Sequence, residues 1–264
     1  MKLFFRKYGD GPPLIILHGL YGSSDNWVSL AKSISDRFTV YLPDQRNHGQ
    51  SPHSDVHDYE SMKADLYELV EELGPGRFFL AGHSMGGRTA MAFAINWPEK
   101  LYGLAIGDVT PRSSDEKFFE AYSAHTKILD SVLSVDLEQL KSRNEIEAVL
   151  AQTIDSENIR GFIMKNLRRN SDETFAWKLN VPVLRRNLKE IIRGLEPRNF
   201  ENAELRGFPV IFLKGENSDY ISEEDFSDIR RLFPGAEFDV IPGAGHWIHA
   251  DNPEAVRNSF LRLI

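Results

Sequence analysis

The sequence contains no cysteine. That removes a disulfide framework, a thiolate nucleophile and any sulfur-ligated metal centre. Acidic residues outnumber basic ones, 39 to 31. The formal net charge is −8, whereas a nucleic-acid-binding surface is normally cationic, so nucleic acid is not an expected partner. No apolar run approaches the roughly 18 residues that cross a bilayer. No membrane span is therefore expected, and Met1 to Tyr8 hold too short an apolar stretch for a secretory signal. A cytoplasmic protein, monomeric or weakly homo-oligomeric, is the expectation. No G-x-G-x-x-G follows the first apolar runs, which sets aside a dinucleotide-binding protein. Internal repeats and low-complexity tracts are missing too. What remains is ordinary globular usage, 41% hydrophobic and 27% charged over 264 residues, enough for one α/β domain with room for a sizeable insertion.

The chain is organised around residues 78–96. The apolar run from Phe78 ends in Gly82-His83-Ser84-Met85-Gly86, and a small-residue amphipathic segment follows to Asn96. Strand, abrupt turn and helix with a serine at the apex is the context that a G-x-S-x-G nucleophile elbow demands. Side chains at Gly82 and Gly86 would collide with the adjoining strand and helix, so glycine leaves the Ser84 hydroxyl exposed. The helix that starts at Ser84 aims free N–H groups at negative charge developing there.

Around this stretch, apolar runs and helical stripes alternate. Strands are expected at 1–8, 14–17, 38–42 and 101–106, and helices from Ser24 or Asp25 to Ser35 and from Tyr59 to Leu73. From Pro111 to Leu205 the pattern is helical throughout, with segments near 115–133, 136–154, 157–169 and 183–195. Strand and helix return with 209–213, 223–232, 237–241 and a last helix from Pro253. This predicts an α/β fold, a mostly parallel doubly wound sheet built from 1–110 and 206–264, with 111–205 inserted as a helical cap. Reactive groups in such sheets sit on loops past the carboxyl ends of strands.

Acyl transfer by serine needs a base, an acid that orients it, and donors for the oxyanion. Of eight histidines, His246 stands on the glycine-rich loop Pro242-Gly243-Ala244-Gly245 directly after the last strand, and is the candidate base. His18 and His83 look like loop-shaping residues, His48, His53 and His57 fall in a polar segment, and His125 lies in the insertion. His249 is expected to pack under the final helix. The oxyanion donors are expected to be the N–H groups of Met85 and of Leu20, in the loop after Leu17. Two aspartates qualify as the acid, Asp108 after the strand that follows the elbow helix and Asp219 after the next. Both preserve the chain order Ser…Asp…His. The chemistry requires no metal or organic cofactor.

His18-Gly19-Leu20, Asp44 to Ser51, Gly82 to Gly87 and Gly243 to His246 together resemble the α/β-hydrolase fold family over essentially the whole chain. Within it, Arg46-Asn47-His48-Gly49, Asp108-Val109-Thr110-Pro111 and Trp177 to Pro182 look like the small bacterial esterases related to YbfF. Those are similar in turn to the mitochondrial hydrolase abhydrolase-domain protein 11. The resemblance implies hydrolysis of carboxylic esters with short acyl chains, or of acyl thioesters such as acyl-CoA, through an acyl-enzyme; the expected partner is a small ester or thioester substrate. It also favours Asp108 over Asp219 as the acid. Tyr220 stands where many relatives carry proline.

The insertion is expected to cover Ser84, with Phe118, Phe119, Tyr122, Phe162, Phe175 and Trp177 as candidate lining. Between Arg160 and Arg193 there are nine Lys or Arg against three acidic residues, and Arg185, Lys189 and Arg193 recur on one expected helix face. A solvated surface accounts for that pattern; attraction of an anionic leaving group such as the phosphates of CoA is the sharper alternative. Competing functions on the same scaffold are carbon–carbon bond hydrolysis, peracid formation and a non-catalytic ligand receptor. The first two share the triad, and a receptor would usually have lost a member of it. Dehalogenase chemistry would need an aspartate in place of Ser84.

Overall fold

The computed structural model describes residues 1–263; Ile264, the last residue of the expected second core segment, lies outside them. The first half runs β1 (Phe5–Tyr8), β2 (Pro13–Leu17), α1 (Val28–Ser33), β3 (Thr39–Pro43), α2 (Tyr59–Leu73), β4 (Phe78–His83), α3 (Met85–Asn96) and β5 (Leu101–Gly107). The first strand begins only at Phe5, and the first helix is preceded by a separate 3-10 turn over Ser24–Trp27. Between β5 and the next sheet strand come α4 (Asp115–Leu133), α5 (Arg143–Ala151), α6 (Glu157–Met164), β6 (Leu167–Arg169), β7 (Phe175–Trp177), α7 (Val181–Arg186) and α8 (Leu188–Arg193). The chain then returns through β8 (Val210–Gly215), α9 (Asp225–Leu232), β9 (Ala236–Ile241), α10 (Ile248–Asp251) and α11 (Pro253–Leu261).

Seven strands form one sheet in the order β1-β3-β2-β4-β5-β8-β9. Only the edge strand β1 is antiparallel to its neighbour. Alternate side chains of the buried strands enter opposite cores, the period-2 consequence of a pleated strand covered on both faces. Ile15, Leu17, Phe78 and Leu80 join the core under α2 and α3, whereas Leu14, Ile16, Phe79 and Ala81 join the core under α1 and α11. The fold is therefore α/β and doubly wound. Phe38, Phe78, Phe93, Phe212 and Phe233 are fully buried, and truncating any one to alanine would cost about 3–5 kcal/mol. Helix α2 owes its ends to two residues. Asp58 accepts from the Ser61 N–H at the start, and Gly74 stops the helix in the left-handed region at φ 61°.

The excursion between β5 and β8 is not helical throughout. Residues 167–177 form a small antiparallel hairpin, β6 with β7. Asn170-Ser171-Asp172-Glu173-Thr174 turns it, with Asp172 accepting from the Thr174 N–H and hydroxyl and Glu173 at φ 68°. These are Asx-turn residues, which compete with helix through their own side-chain bonds. The segment expected over 136–154 is helical only over Arg143–Ala151, started by Ser142, whose hydroxyl accepts from Glu145 N–H. The segment expected over 183–195 is two short helices broken at Asn187. Arg185, Lys189 and Arg193 consequently do not share one continuous helix face.

Candidate active site

Ser84 and Asp108 arise from neighbouring strands. His83 of β4 pairs with Gly107 of β5, so the two residues stand side by side, each one step past the carboxyl end of its strand. The Ser84 N–H donates to Gly107 O and the Asp108 N–H to Leu213 O, which pins both to the sheet. Both have positive φ, 52° and 49°, a conformation that L-residues adopt only when the surroundings impose it. The glycines permit the approach. A Cβ on Gly82 would lie 2.2 Å from Gly86 O, and one on Gly86 would lie 2.5 Å from Leu17 O and His18 O.

His246 sits across the sheet ends on the loop after β9. Its Nε2 is 3.0 Å from Ser84 Oγ and its Nδ1 is 2.8 Å from Asp108 Oδ2. Asp108 is fully buried. Its other oxygen accepts from Gly215 N–H at 3.0 Å, and Oδ2 also accepts from the Ser218 hydroxyl. Asp219 is exposed, and the carboxylate that meets His246 is that of Asp108. The oxyanion candidates also come to Ser84. Leu20 and Met85 are both buried and line one cavity with it. A Cβ on Gly19 would lie 3.3 Å from Ser84 Cβ, so that loop lies directly against the serine.

Two other histidines, His18 and His83, hold loops beside the site. His18 Nδ1–H donates to Gly19 O at 2.8 Å while its Nε2 accepts from Gln45 N–H at 2.9 Å. His83 Nε2–H donates to His246 O at 2.7 Å, holding the loop that carries the candidate base. Burial lowers the pKa of His18, His48 and His83, so these rings are neutral. His249 stacks on Trp27 at 4.4 Å, with its pKa lowered to about 3 by burial. Trp27 also stacks on Phe260 of α11, so the tryptophan links His249 to the final helix.

Residues 12–253 match the sequence profile of the α/β hydrolase fold. The zebrafish (Danio rerio) protein named sn-1-specific diacylglycerol lipase ABHD11 is 37% identical over 253 residues, covering 94% of this chain and 77% of that protein. Esterase YbfF of Escherichia coli is 30% identical over 255 residues, covering 97% and 94%. The chain belongs to the α/β-hydrolase family. Among solved structures, a marine microorganism esterase superposes over 100% of both chains with a TM-score of 0.94 at 42% identity. With esterases and lipases as relatives and Ser84 at the elbow, this α/β hydrolase is an enzyme of the ester hydrolase class, in the subgroup of YbfF and ABHD11. No helix among the described residues is long and apolar enough to cross a membrane. Nor do the described residues include a group of three or more His, Asp or Glu side chains disposed to hold a metal.

Two cavities meet at Ser84, of about 320 and 370 Å³. They share Leu20, Ser84, Ala124, His125, Tyr220 and His246. The first runs towards Arg88, Val109 and Ile192; the second is walled by Phe162, Trp247 and Trp27. Of the six aromatics expected to line the site, only Phe162 does so. Phe118 is buried beneath the Arg193 guanidinium, 3.8 Å from its ring centroid, and Phe119 is 65% exposed. Two of the three basic residues singled out in the sequence are paired with acids from other elements: Arg185 with Asp130 and Arg193 with Asp115, both at 2.6 Å.

Arg88 and Ser218 were not apparent from spacing. Arg88, one turn along α3 from Ser84, is buried, yet no carboxylate pairs with it among the described residues. Its Nε donates to Thr110 O, Nη1 to Ile191 O and Ile192 O, and Nη2 to Ser113 Oγ, at 2.8–3.0 Å. An arginine between Gly87 and Thr89-Ala90 on an otherwise small, apolar helix was the available signal.

Proposed function

We propose that this enzyme hydrolyses small carboxylic esters through an acyl-enzyme on Ser84, with His246 as general base and acid and Asp108 as its partner. The unbroken hydrogen-bonded line from Ser84 Oγ through the His246 ring to the buried Asp108 carboxylate supports this assignment above all else. Ser84 Oγ attacks the ester carbonyl carbon and its proton passes to His246 Nε2. The N–H groups of Leu20 and Met85 bind the oxyanion, each worth about 3 kcal/mol in the transition state. Nε2 then returns the proton to the leaving alcohol oxygen as the C–O bond breaks. Water attacks the acyl-enzyme by the same proton path and frees the acid and Ser84. Asp108 stays ionised throughout and stabilises the imidazolium.

In this reading, residues 111–205 are a cap whose α4, α6 and α8 roof the two cavities, and the cavities receive the two halves of the ester. Short-chain esters come first in the substrate order. Thioesters such as acyl-CoA come second, because Arg185 and Arg193, two of the cations that would attract CoA phosphates, are paired with Asp130 and Asp115. The relatives named diacylglycerol lipases add glycerides to the panel. Nothing in the composition calls for an oxidising compartment, and the cytoplasm is the location proposed.

The test is turnover of p-nitrophenyl esters of graded chain length, beside acyl-CoAs and diacylglycerols. Ser84→Ala should abolish turnover. Asp108→Asn should lower kcat by roughly four orders of magnitude, as loss of the orienting acid does in serine triads, with Asp219→Asn close to wild type. The reverse ranking of the two aspartates would reassign the acid.

A further inference from the structure

His125 lies on α4 of the cap, yet both its ring nitrogens reach loops of the sheet domain. Nδ1 is 3.0 Å from the hydroxyl of Tyr21, the residue after Leu20, and Nε2 is 3.3 Å from the hydroxyl of Tyr220. The Tyr220 ring in turn lies flat on the His246 imidazole, with centroids 3.7 Å apart and planes 17° apart. A second cap residue grips the same loop, since Asn166 Nδ2 donates to Tyr21 O at 2.8 Å. One cap side chain thus touches the residue beside the oxyanion donor and the ring that covers the base.

The protonation states fit these roles. Burial, and after it the charge on His246, brings the His125 pKa down to about 4, so the ring is neutral with one donor and one acceptor. Burial pushes the Tyr220 hydroxyl up to about 12, leaving it protonated. Each nitrogen of His125 can therefore be matched by a phenol that donates to it or accepts from it. A ring stacked at 3.7 Å stops the His246 imidazole from tilting. Its Nδ1–Nε2 axis then stays between Asp108 and Ser84. A small misplacement of a catalytic group costs up to about a hundredfold in rate.

We propose that His125 is a positioning residue: from the cap it holds Tyr220 flat against His246, so the base is aligned when α4 is seated over the site. The inference rests on the esterase mechanism above. It also accounts for a tyrosine at 220, because the stack and the hydroxyl are both used.

Three variants test it on p-nitrophenyl acetate. His125→Phe keeps a ring and loses both hydrogen bonds, Tyr220→Phe keeps the stack and loses the hydroxyl, and the third combines them. End-point titration with a fluorophosphonate restricts the comparison to folded sites. Each single variant should lower kcat about tenfold with KM within about twofold, and the double variant should be no slower than either, because both cut one linkage. His125→Phe with wild-type kcat, a loss confined to KM, or losses that multiply in the double variant would each overturn the proposal. Ser84→Ala, assayed alongside, separates the two levels. If it is inactive while His125→Phe is unimpaired, only the positioning role fails; if Ser84→Ala retains turnover, the mechanism itself fails.

Discussion

Gly86 shows how tightly single residues are constrained near the elbow. Its Cα faces the carbonyls of Leu17 and His18 so closely that a methyl group would sit 2.5 Å from both oxygens. Backbone at both contacts leaves nothing flexible to yield. Gly86→Ala should therefore cost about 1–3 kcal/mol in stability and displace the Met85 N–H from Ser84. A lowered urea midpoint together with reduced kcat is the expected result; an unchanged midpoint would show that the elbow relaxes freely. The same scale explains what spacing could and could not reveal. Ser84 and His246 were legible because each lies in a local motif whose glycines have a mechanical reason. Spacing did not choose between the candidate acids, because Asp108 and Asp219 both follow strand ends. Only the pairing of β5 between β4 and β8, with Ser218 and Gly215 closing on the carboxylate, puts Asp108 beside the imidazole.

Among elements, α3 and α8 are joined by one guanidinium. The carbonyls of Ile191 and Ile192 belong to the last turn of α8, where a helix has no internal donors left to offer. Arg88 donates to both, alongside the Tyr59 hydroxyl on Ile191 O and the Ser113 hydroxyl on Ile192 O, and reaches Thr110 and Ser113 where the chain leaves the sheet. Arg88→Met keeps the apolar bulk and removes the guanidinium donor from Thr110 O, leaving Ile191 O to the Tyr59 hydroxyl and Ile192 O to the Ser113 hydroxyl. We expect a loss of about 3 kcal/mol, expressed first as loosening of α4–α8. Limited proteolysis should then cut within α4–α8 before the sheet, and KM should rise more than kcat falls; cleavage spread evenly over the chain would contradict this. Elements on the sheet were readable because apolar runs bounded by glycine and proline leave few alternatives. Between β5 and β8, mixed polarity hid both the Asx turn of β6–β7 and the break at Asn187. Short helices tied by side-chain caps carry little periodicity of their own.

For the whole molecule, the group of neutral histidines behind the site ties stability to pH. His57, fully buried, accepts from Asn47 Nδ2 and donates to Met85 Sδ, and burial, helped by Arg46, brings its pKa down to about 3. In the unfolded chain the same ring titrates near 6.5. Between those values the unfolded state binds a proton that the native state refuses. The contribution is thus whole above about pH 6.5 and is lost as pH falls, by about 1.4 kcal/mol per unit for each such ring. His48 and His83 are displaced in the same direction, so urea unfolding between pH 7 and 5 should show a slope of more than one proton. His57→Phe should reduce that slope by about one; an unchanged slope would place the proton uptake elsewhere.

The two ends of the excursion between β5 and β8 meet. Arg112 bridges to Gly194, Ser113 N–H donates to Arg193 O at 3.0 Å and Leu195 N–H donates to Pro111 O at 2.8 Å. The roughly eighty residues between them therefore leave and rejoin the sheet through a single gate, and the span to be closed is already as narrow as a strand pair. The insertion is in this sense a cassette. A short turn from Ser113 to Arg193, or the corresponding segment of another α/β hydrolase, could be spliced in without moving β5 or β8. Chimeras made at this junction would change what enters the two cavities while inheriting the chemistry of the sheet.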